Sequence, residues 1–456
     1  MNYKEFLKSK KQVKIEKGII INEDQLNHIL FDYQKSIVKK ALEMKVFCLF
    51  EACGMGKTLQ QLEWAYQVNK FTNNPVLILA PLGVTVQTAF EEAPKLGYKV
   101  HIIQDEIVNG INIINYEQIE NIDTSLFAGV VLDESSILKN FVGKTRRKLT
   151  EAFKNTEYKL CCTATPAPND LMELLNHADF LGITTTAKAL ATYFINDMKT
   201  GQYRLKGHAT KDFYRWCCQW SINIESPKDL GYKADYYVLP ELKERNVIIE
   251  IDEIDNSFEN GLFREIGTSA TAFHKEKHRT ADARAKKCAE IAMKDSEQYL
   301  IWCDTNEEAE LLKKYIPNAV EVRGSHTSKH KEWCAMDFKQ GNIRVLISKP
   351  KIFGYGMNFQ KCHNVIFCGL TYSFENYYQA LRRIYRFGQK QTVNSYIVLG
   401  STELYILENI NQKKKMQETL KNQMDISVKE IQLLNFQGKE VKEVEENKQI
   451  ELPQFI

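Results

Sequence analysis

Val46-Phe47-Cys48-Leu49-Phe50-Glu51-Ala52-Cys53-Gly54-Met55-Gly56-Lys57-Thr58 runs an apolar strand into a glycine-rich turn, and residues 59–66 continue with the pattern of a helix. Strand, turn and helix in that order bring backbone N–H groups and the positive end of a helix to one point, which suits an anion. Gly54 and Gly56 let the backbone wrap phosphate oxygens. Lys57 is spaced to reach β- and γ-phosphates, and the Thr58 hydroxyl to bind Mg2+. A strict P-loop has a glycine six residues before the lysine, where this chain has Glu51. Further on, Val130-Val131-Leu132-Asp133-Glu134 is an apolar strand that ends in two carboxylates. Asp133 is expected to hold Mg2+ through water, and Glu134 to orient and deprotonate an attacking water.

Outward from these two segments, short apolar runs recur at 46–50, 76–80, 100–103, 111–114, 130–132 and 159–163, with helical patterns between several of them. A second set follows at 246–251, 299–303, 319–322, 345–348, 365–368 and 395–398. Buried strands alternating with helices predict an α/β fold, parallel sheets flanked by helices. Between the sets, 186–199 and 211–220 read as helices. Phe213, Trp216 and Trp220 fall there at helical spacing and read as core. A long polar helix is expected over 270–294.

The chain has 456 residues, 44% of them hydrophobic and 26% charged, ordinary for a globular protein with more than one domain. Its formal net charge of +3 excludes a protein that coats nucleic acid by charge alone. The eleven cysteines show no paired zinc-type spacing, and they read as reduced thiols of a cytoplasmic protein. No secretory signal opens the chain, and no apolar run is long enough to span a bilayer.

Other strings fall into a motif order. Phe31-Asp32-Tyr33-Gln34, the turn at 54–58, Ala80-Pro81-Leu82, Asn115-Tyr116-Glu117, Asp133-Glu134-Ser135-Ser136 and Thr163-Ala164-Thr165-Pro166 come first. Gly354-Tyr355-Gly356-Met357-Asn358-Phe359-Gln360 and Gln379-Ala380-Leu381-Arg382-Arg383-Ile384-Tyr385-Arg386-Phe387-Gly388-Gln389 follow. Over about residues 30–400 this order resembles the Swi/Snf-like group of superfamily 2 helicase-type ATPases, in the compact form common in bacteriophages. That family commonly carries an acidic residue where Glu51 stands.

The resemblance implies two tandem RecA-like lobes with helical insertions and a helical C-terminal tail. The expected divisions are a basic arm (1–24), lobe one with the ATP-binding motifs (25–185), a helical insertion or linker (186–240), lobe two (241–400, with a helical insertion near 252–294) and a charged helical tail (401–456). Gln34 is expected to read the adenine edge. Gly54, Met55, Gly56, Lys57, Thr58, Gly356 and Gln379 are expected to contact the nucleotide. Arg383 and Arg386, three apart and read as sharing one helix face, would donate to γ-phosphate oxygens from lobe two.

Pro81, Thr85, Asn115, Gly324, Ser325, Ser348 and Lys349 are the candidates for a nucleic-acid backbone, with Lys351 beside them. The function implied is an ATP-dependent DNA translocase or helicase with ATP and Mg2+, on duplex DNA before single strands. A strand-separating DNA or RNA helicase stays open, as does a nucleotide-gated nucleic-acid scaffold that hydrolyses weakly. A replication, recombination or nuclease partner on another chain is a further expectation. The expected setting is the cytoplasm of a bacterial or phage-infected cell.

Overall fold

Successive residues of each apolar strand go to opposite cores. Along β1 (Val46–Glu51), Phe47 and Leu49 join one cluster, and Cys48 and Phe50 another. β2 (Val76–Ala80) divides the same way, with Val76, Ile78 and Ala80 on one face and Leu77 and Leu79 on the other. A period of two with both faces buried is what a parallel sheet covered on each side by helices requires. The computed structural model describes residues 17–140, 143–197, 203–234, 237–251, 270–353 and 358–436.

The first sheet continues with β3 (Val100–Ile102), β4 (Ile111–Asn115), β5 (Gly129–Asp133) and β6 (Tyr158–Thr163). A short antiparallel pair, β7 (Phe194–Asn196) with β8 (Tyr203–Leu205), stands apart from it. β9 (Ser221–Ile224) completes the sheet, in the order β3-β4-β2-β5-β6-β1-β9, with every pairing parallel. β1 and β5 thus lie on either side of β6, and their C-terminal ends point the same way.

The second sheet is built from β10 (Leu242–Ile249), β11 (Tyr299–Trp302), β12 (Val320–Val322), β13 (Val345–Ser348), β14 (Asn364–Cys368) and β15 (Val393–Gly400). Its order is β10-β15-β14-β11-β13-β12, again all parallel. Leu300, Trp302, Leu346, Val365 and Phe367 face one core, and Ile301, Val345, Ile347, Ile366 and Cys368 the other. Two parallel sheets flanked by helices make the two RecA-like lobes.

Three divisions differ from the sequence reading. Residues 18–21 are not a solvated arm: the Gly18 and Ile19 amides bond to the carbonyls of Glu43 and Leu42, and Ile19 and Ile21 are buried. Residues 1–16 lie outside the described residues. The segment 186–240 is not all helical. Helix Thr186–Tyr193 gives way to β7, helix Thr210–Cys217 carries Phe213 and Trp216 into the core, and β9 pairs with β1, so lobe one reaches at least Ile224.

Helix Ala270–Ala292 is part of the core of lobe two and not an insertion into it, and residues 252–269 of the expected insertion lie outside the described residues. Ala285, Cys288, Ala289 and Ala292 pack into the second core, and the fully buried Arg284 bonds to Glu308 and to the Cys368 carbonyl. Polar residues hid this role, because Arg284 finds its partners only across the fold. The tail begins as one helix, Leu404–Phe436, that turns back over both lobes: Lys413 Nζ reaches Asn169 Oδ1 at 3.2 Å and the Tyr372 carbonyl at 2.7 Å. Residues 437–456 lie outside the described residues. Among the described residues no helix is long and apolar enough to cross a membrane.

Candidate nucleotide site between the lobes

The turn after β1 needs its glycines. Gly54 and Gly56 have φ of 91° and 79°, a left-handed backbone that residues with a Cβ avoid. A Cβ on Gly56 would stand 2.3 Å from Gln34 Nε2, and one on Gly54 would stand 3.1 Å from Phe387 Cβ. The second contact brings the Gln379–Gln389 string of lobe two against the turn of lobe one. Tyr237 supports the approach. Its ring stacks on Phe387 at 5.2 Å, and its hydroxyl donates to the Cys53 carbonyl at 3.2 Å.

Helix Lys57–Thr72 starts directly behind Gly56. Lys57 Nζ donates to the carbonyls of Glu51 (2.7 Å) and Ala52 (3.1 Å), so the cation already lies over the turn. Thr58 is half-buried in the first turn of this helix. Met55 differs from a ligand-facing residue. Its side chain is buried in the core, and its carbonyl accepts from Tyr33 (2.8 Å) and Gln34 (2.9 Å). Gln34 therefore braces the turn with its amide, while its Oε1 accepts from the Phe31 amide. Glu51 lies beneath, fully buried. Burial pushes its carboxyl up to about 7, against the pull of Lys57 and a hydrogen bond from Gln60.

β5 delivers the two carboxylates. Asp133 Oδ1 accepts from Gln61 at 2.7 Å, and its carbonyl accepts from the Tyr116 hydroxyl at 2.7 Å. Burial raises the Asp133 carboxyl above its usual range, opposed by Gln61 and Lys57. Glu134 leaves the strand with φ 55° and ψ 55°, a conformation uncommon for a residue with a side chain and typical of functional sites. Its Oε2 accepts from Thr163 Oγ1 (3.5 Å) and from Gln379 Nε2 of lobe two (3.4 Å). Burial first, then the charge of Asp133, push the Glu134 carboxyl up to about 7, while Lys57 and Arg383 pull it down.

Lobe two presents its arginines from a turn and not from a helix face. Helix Phe374–Leu381 ends before them, and the chain turns through 382–388 to Gly388, whose φ is 92°. Arg383 is buried close enough for its charge to act on both Asp133 and Glu134. Arg386 donates to Asn358 Oδ1, and burial, then Arg383, lower its guanidinium to about 10. Gln379 Oε1 and Arg386 Nε are buried with no hydrogen-bond partner. Such atoms at a lobe interface suit a polar ligand. Gly356 lies outside the described residues.

The track candidates separate by exposure. Gly324 and Ser325 are exposed after β12, and Pro81 and Lys349 are half-buried at strand ends. Ser348 turns inward. It is buried and donates to the Val322 carbonyl at 3.1 Å, so its hydroxyl is not offered outward. Thr85 and Asn115 are also buried, and Asn115 Nδ2 donates to Gln118. Among the described residues no group of three or more His, Cys, Asp or Glu is placed to hold a metal.

Several contributors escaped the sequence reading: Gln61, Tyr237, His177 and Glu375. Gln61 lies four residues after Lys57, and Glu375 four before Gln379, so helical spacing pointed to both. His177 accompanies Ser135, with Oγ and Nε2 3.1 Å apart, and burial lowers its imidazole to about 4.

Two family profiles match the chain: SNF2-related domain over residues 57–200 and Helicase conserved C-terminal domain over residues 283–388. Protein p41 of Acyrthosiphon pisum secondary endosymbiont phage 1 is 23% identical, over 85% of this chain and 97% of its own length. TATA-binding protein-associated factor MOT1 of Saccharomyces cerevisiae is 29% identical over 28% of this chain and 7% of that protein. ATP-dependent RNA helicase fal1 of Botryotinia fuckeliana is 29% identical over 25% of this chain and 31% of that protein. A solved structure, the Sulfolobus solfataricus SWI2/SNF2 ATPase core in complex with dsDNA, aligns over 92% of this chain and 99% of that one, with 18% identity and a TM-score of 0.42. The first profile takes in Lys57, Thr58, Asp133 and Glu134, and the second Arg383 and Arg386; with these two domains in tandem, the chain is a Swi/Snf-like superfamily 2 helicase-type ATPase, a hydrolase that acts on ATP.

Proposed function

We propose that the chain is an ATP-driven DNA translocase that hydrolyses ATP between its two lobes and moves along duplex DNA. The observation that carries the split site is the Glu134–Gln379 hydrogen bond of 3.4 Å, with the Arg383 charge acting on the same carboxylates. One lobe brings the acid pair and the other brings the donors, so hydrolysis depends on closure, and closure is the motion that moves a track.

In this reading Lys57 exchanges its two carbonyl partners for β- and γ-phosphate oxygens. Gly54 and Gly56 admit the phosphates, and Gln34 holds the turn in shape. Glu134 orients the attacking water and takes its proton. Arg383 and Arg386 donate to γ-phosphate oxygens as charge spreads there. Asp133 and Thr58 fit Mg2+: a single buried carboxylate and a hydroxyl suit an ion that keeps several waters and takes its other ligands from phosphates. When bound, that ion neutralises charge on the β- and γ-oxygens. The lobe boundary falls between Ile224 and Leu242, where one sheet ends and the other begins.

Family membership supports a nucleic-acid track. Gly324, Ser325, Lys349 and Lys351 carry the amides, hydroxyl and ammonium groups near strand ends that suit phosphates, whereas Pro81 has no N–H to offer one, and such contacts carry little sequence information. The test is steady-state ATPase with no nucleic acid, duplex DNA, single-stranded DNA and RNA in parallel. Duplex DNA is expected to stimulate at least as well as single strands, and less as salt rises. Stimulation by RNA alone, or by single strands alone, overturns the duplex reading. Release of a labelled strand from a forked duplex without partners replaces it with a strand-separating helicase.

A further inference from the structure

Glu134 holds a left-handed backbone, which a residue with a Cβ keeps only where its surroundings enforce it. Bonds on both sides do so. Before it, the Asp133 carbonyl accepts from the Tyr116 hydroxyl. After it, Ser135 is fully buried, and its Oγ lies 3.1 Å from His177 Nε2. The Glu134 carbonyl itself accepts from the Ile137 amide at 3.2 Å, so the short turn Ser135–Lys139 sets its backbone.

Helix Glu173–Phe180 grips that turn at both ends. His177 meets Ser135, and Asn176 Nδ2 donates to the carbonyls of Leu138 at 2.8 Å and Lys139 at 3.3 Å. The imidazole is held in its turn. Its Nδ1 lies 3.3 Å from the Glu173 carbonyl, and the Phe50 ring makes a T-shaped contact with it, 5.2 Å between centroids. A carbonyl only accepts, which assigns the hydrogen to Nδ1. Nε2 is left as an acceptor, and the Ser135 hydroxyl donates to it. Burial lowers the imidazole to about 4, against backbone hydrogen bonds to Glu173 and Ser135, so it is neutral at pH 7 and keeps this arrangement.

We propose that His177 is a positioning residue for ATP hydrolysis: through the Ser135 hydroxyl it fixes the turn that aims Glu134 at the attacking water. The inference rests on Glu134 as the base. The ground-state contacts to the nucleotide come from the Gly54–Thr58 turn, so loss of the His177–Ser135 bond acts on kcat and leaves KM in place.

The experiment is steady-state ATPase of the full chain, with nucleotide titration on the same preparations. His177→Leu removes the acceptor. It should lower kcat by about ten- to a hundredfold, the scale of a misplaced reacting group, with KM and the number of nucleotide sites per chain unchanged. His177→Gln, which can offer an acceptor near the Nε2 position, should recover most of the loss. Should His177→Leu fail to fold, Ser135→Ala removes the same bond with a smaller change in volume and should lower kcat in the same sense. Glu134→Gln runs in parallel. If it keeps its rate, Glu134 is not the base and the inference falls with that assignment. If it loses its rate while His177→Leu and Ser135→Ala keep theirs, the base stands and the positioning role is overturned. Equal losses in His177→Leu and His177→Gln, or nucleotide sites lost in step with kcat, mark a role in stability alone and also overturn it.

Discussion

Ser136 of lobe one donates its hydroxyl to Glu375 Oε1 of lobe two, and Lys139 pairs with the other oxygen of the same carboxylate. Ser136 stands two residues after Glu134, and Glu375 one helical turn before Gln379. The link therefore runs parallel to the Glu134–Gln379 contact and holds the lobe interface next to it. Glu375 is almost fully buried, and hydrogen bonds to a charged group contribute about 1.5–3 kcal/mol. We expect Glu375→Gln to slow ATP turnover by about tenfold or more while the affinity of lobe one for ATP holds. Ser136→Ala should give a smaller loss in the same direction. Unchanged turnover in Glu375→Gln would show that the link follows closure and does not support it.

Lys57→Ala should abolish hydrolysis and leave the fold intact, because Lys57 is half-buried at the surface of the turn and its partners are two backbone carbonyls. Retention of more than about a tenth of turnover would remove the phosphate role, since electrostatic stabilisation of the transferred group is usually the largest single contribution. Glu134→Gln separates binding from chemistry. Nucleotide titration should show affinity retained while the rate is lost. A loss of affinity as large as the loss of rate would make Glu134 structural.

Arg386→Ala tests the contribution of lobe two. Hydrolysis should fall by about three orders of magnitude, the usual scale for an arginine that meets the transferred phosphoryl group. Arg383→Ala should act in the same sense, since its charge reaches Asp133 and Glu134. A fragment of residues 17–240, which keeps β9 beside β1, that hydrolyses ATP as fast as the full chain would refute the split site.

His177 sets a pH dependence of stability. Burial lowers its imidazole from 6.5 to about 4, so the fold keeps it neutral and the unfolded chain takes up the proton first. Its stabilising share is complete above pH 6.5, falls as pH drops, and is lost by about pH 4, a span worth about 3 kcal/mol. Thermal melts at pH 7 and pH 4.5 should show a smaller drop for His177→Gln than for the unmodified chain. Equal drops would mean that other groups carry the acid sensitivity.

The departures from the sequence reading have physical causes. β9 was hidden because Ser221–Ile224 is short and follows a helical aromatic stripe, so nothing local announces a parallel partner for β1. The arginines were read onto a helix because three-residue spacing fits one, but the helix ends at Leu381 and the turn beyond it aims them at the cleft. Ser348 read as an outward hydroxyl at a strand end, and only packing against β12 shows that Val322 takes it.

By itself the sequence determined what depends on neighbours along the chain: the period-two strands, the glycines that permit a left-handed turn before Lys57, the paired carboxylates that end β5, and the family to which their order belongs. The tertiary structure alone decided what depends on residues far apart in the chain. It placed Glu375 against Ser136 and Lys139, Gln379 against Glu134, and Phe387 against Gly54. The reason is range. Backbone sterics and side-chain periodicity act over a few residues, whereas burial, pairing and pKa are set by whatever the fold brings near, which no local window contains.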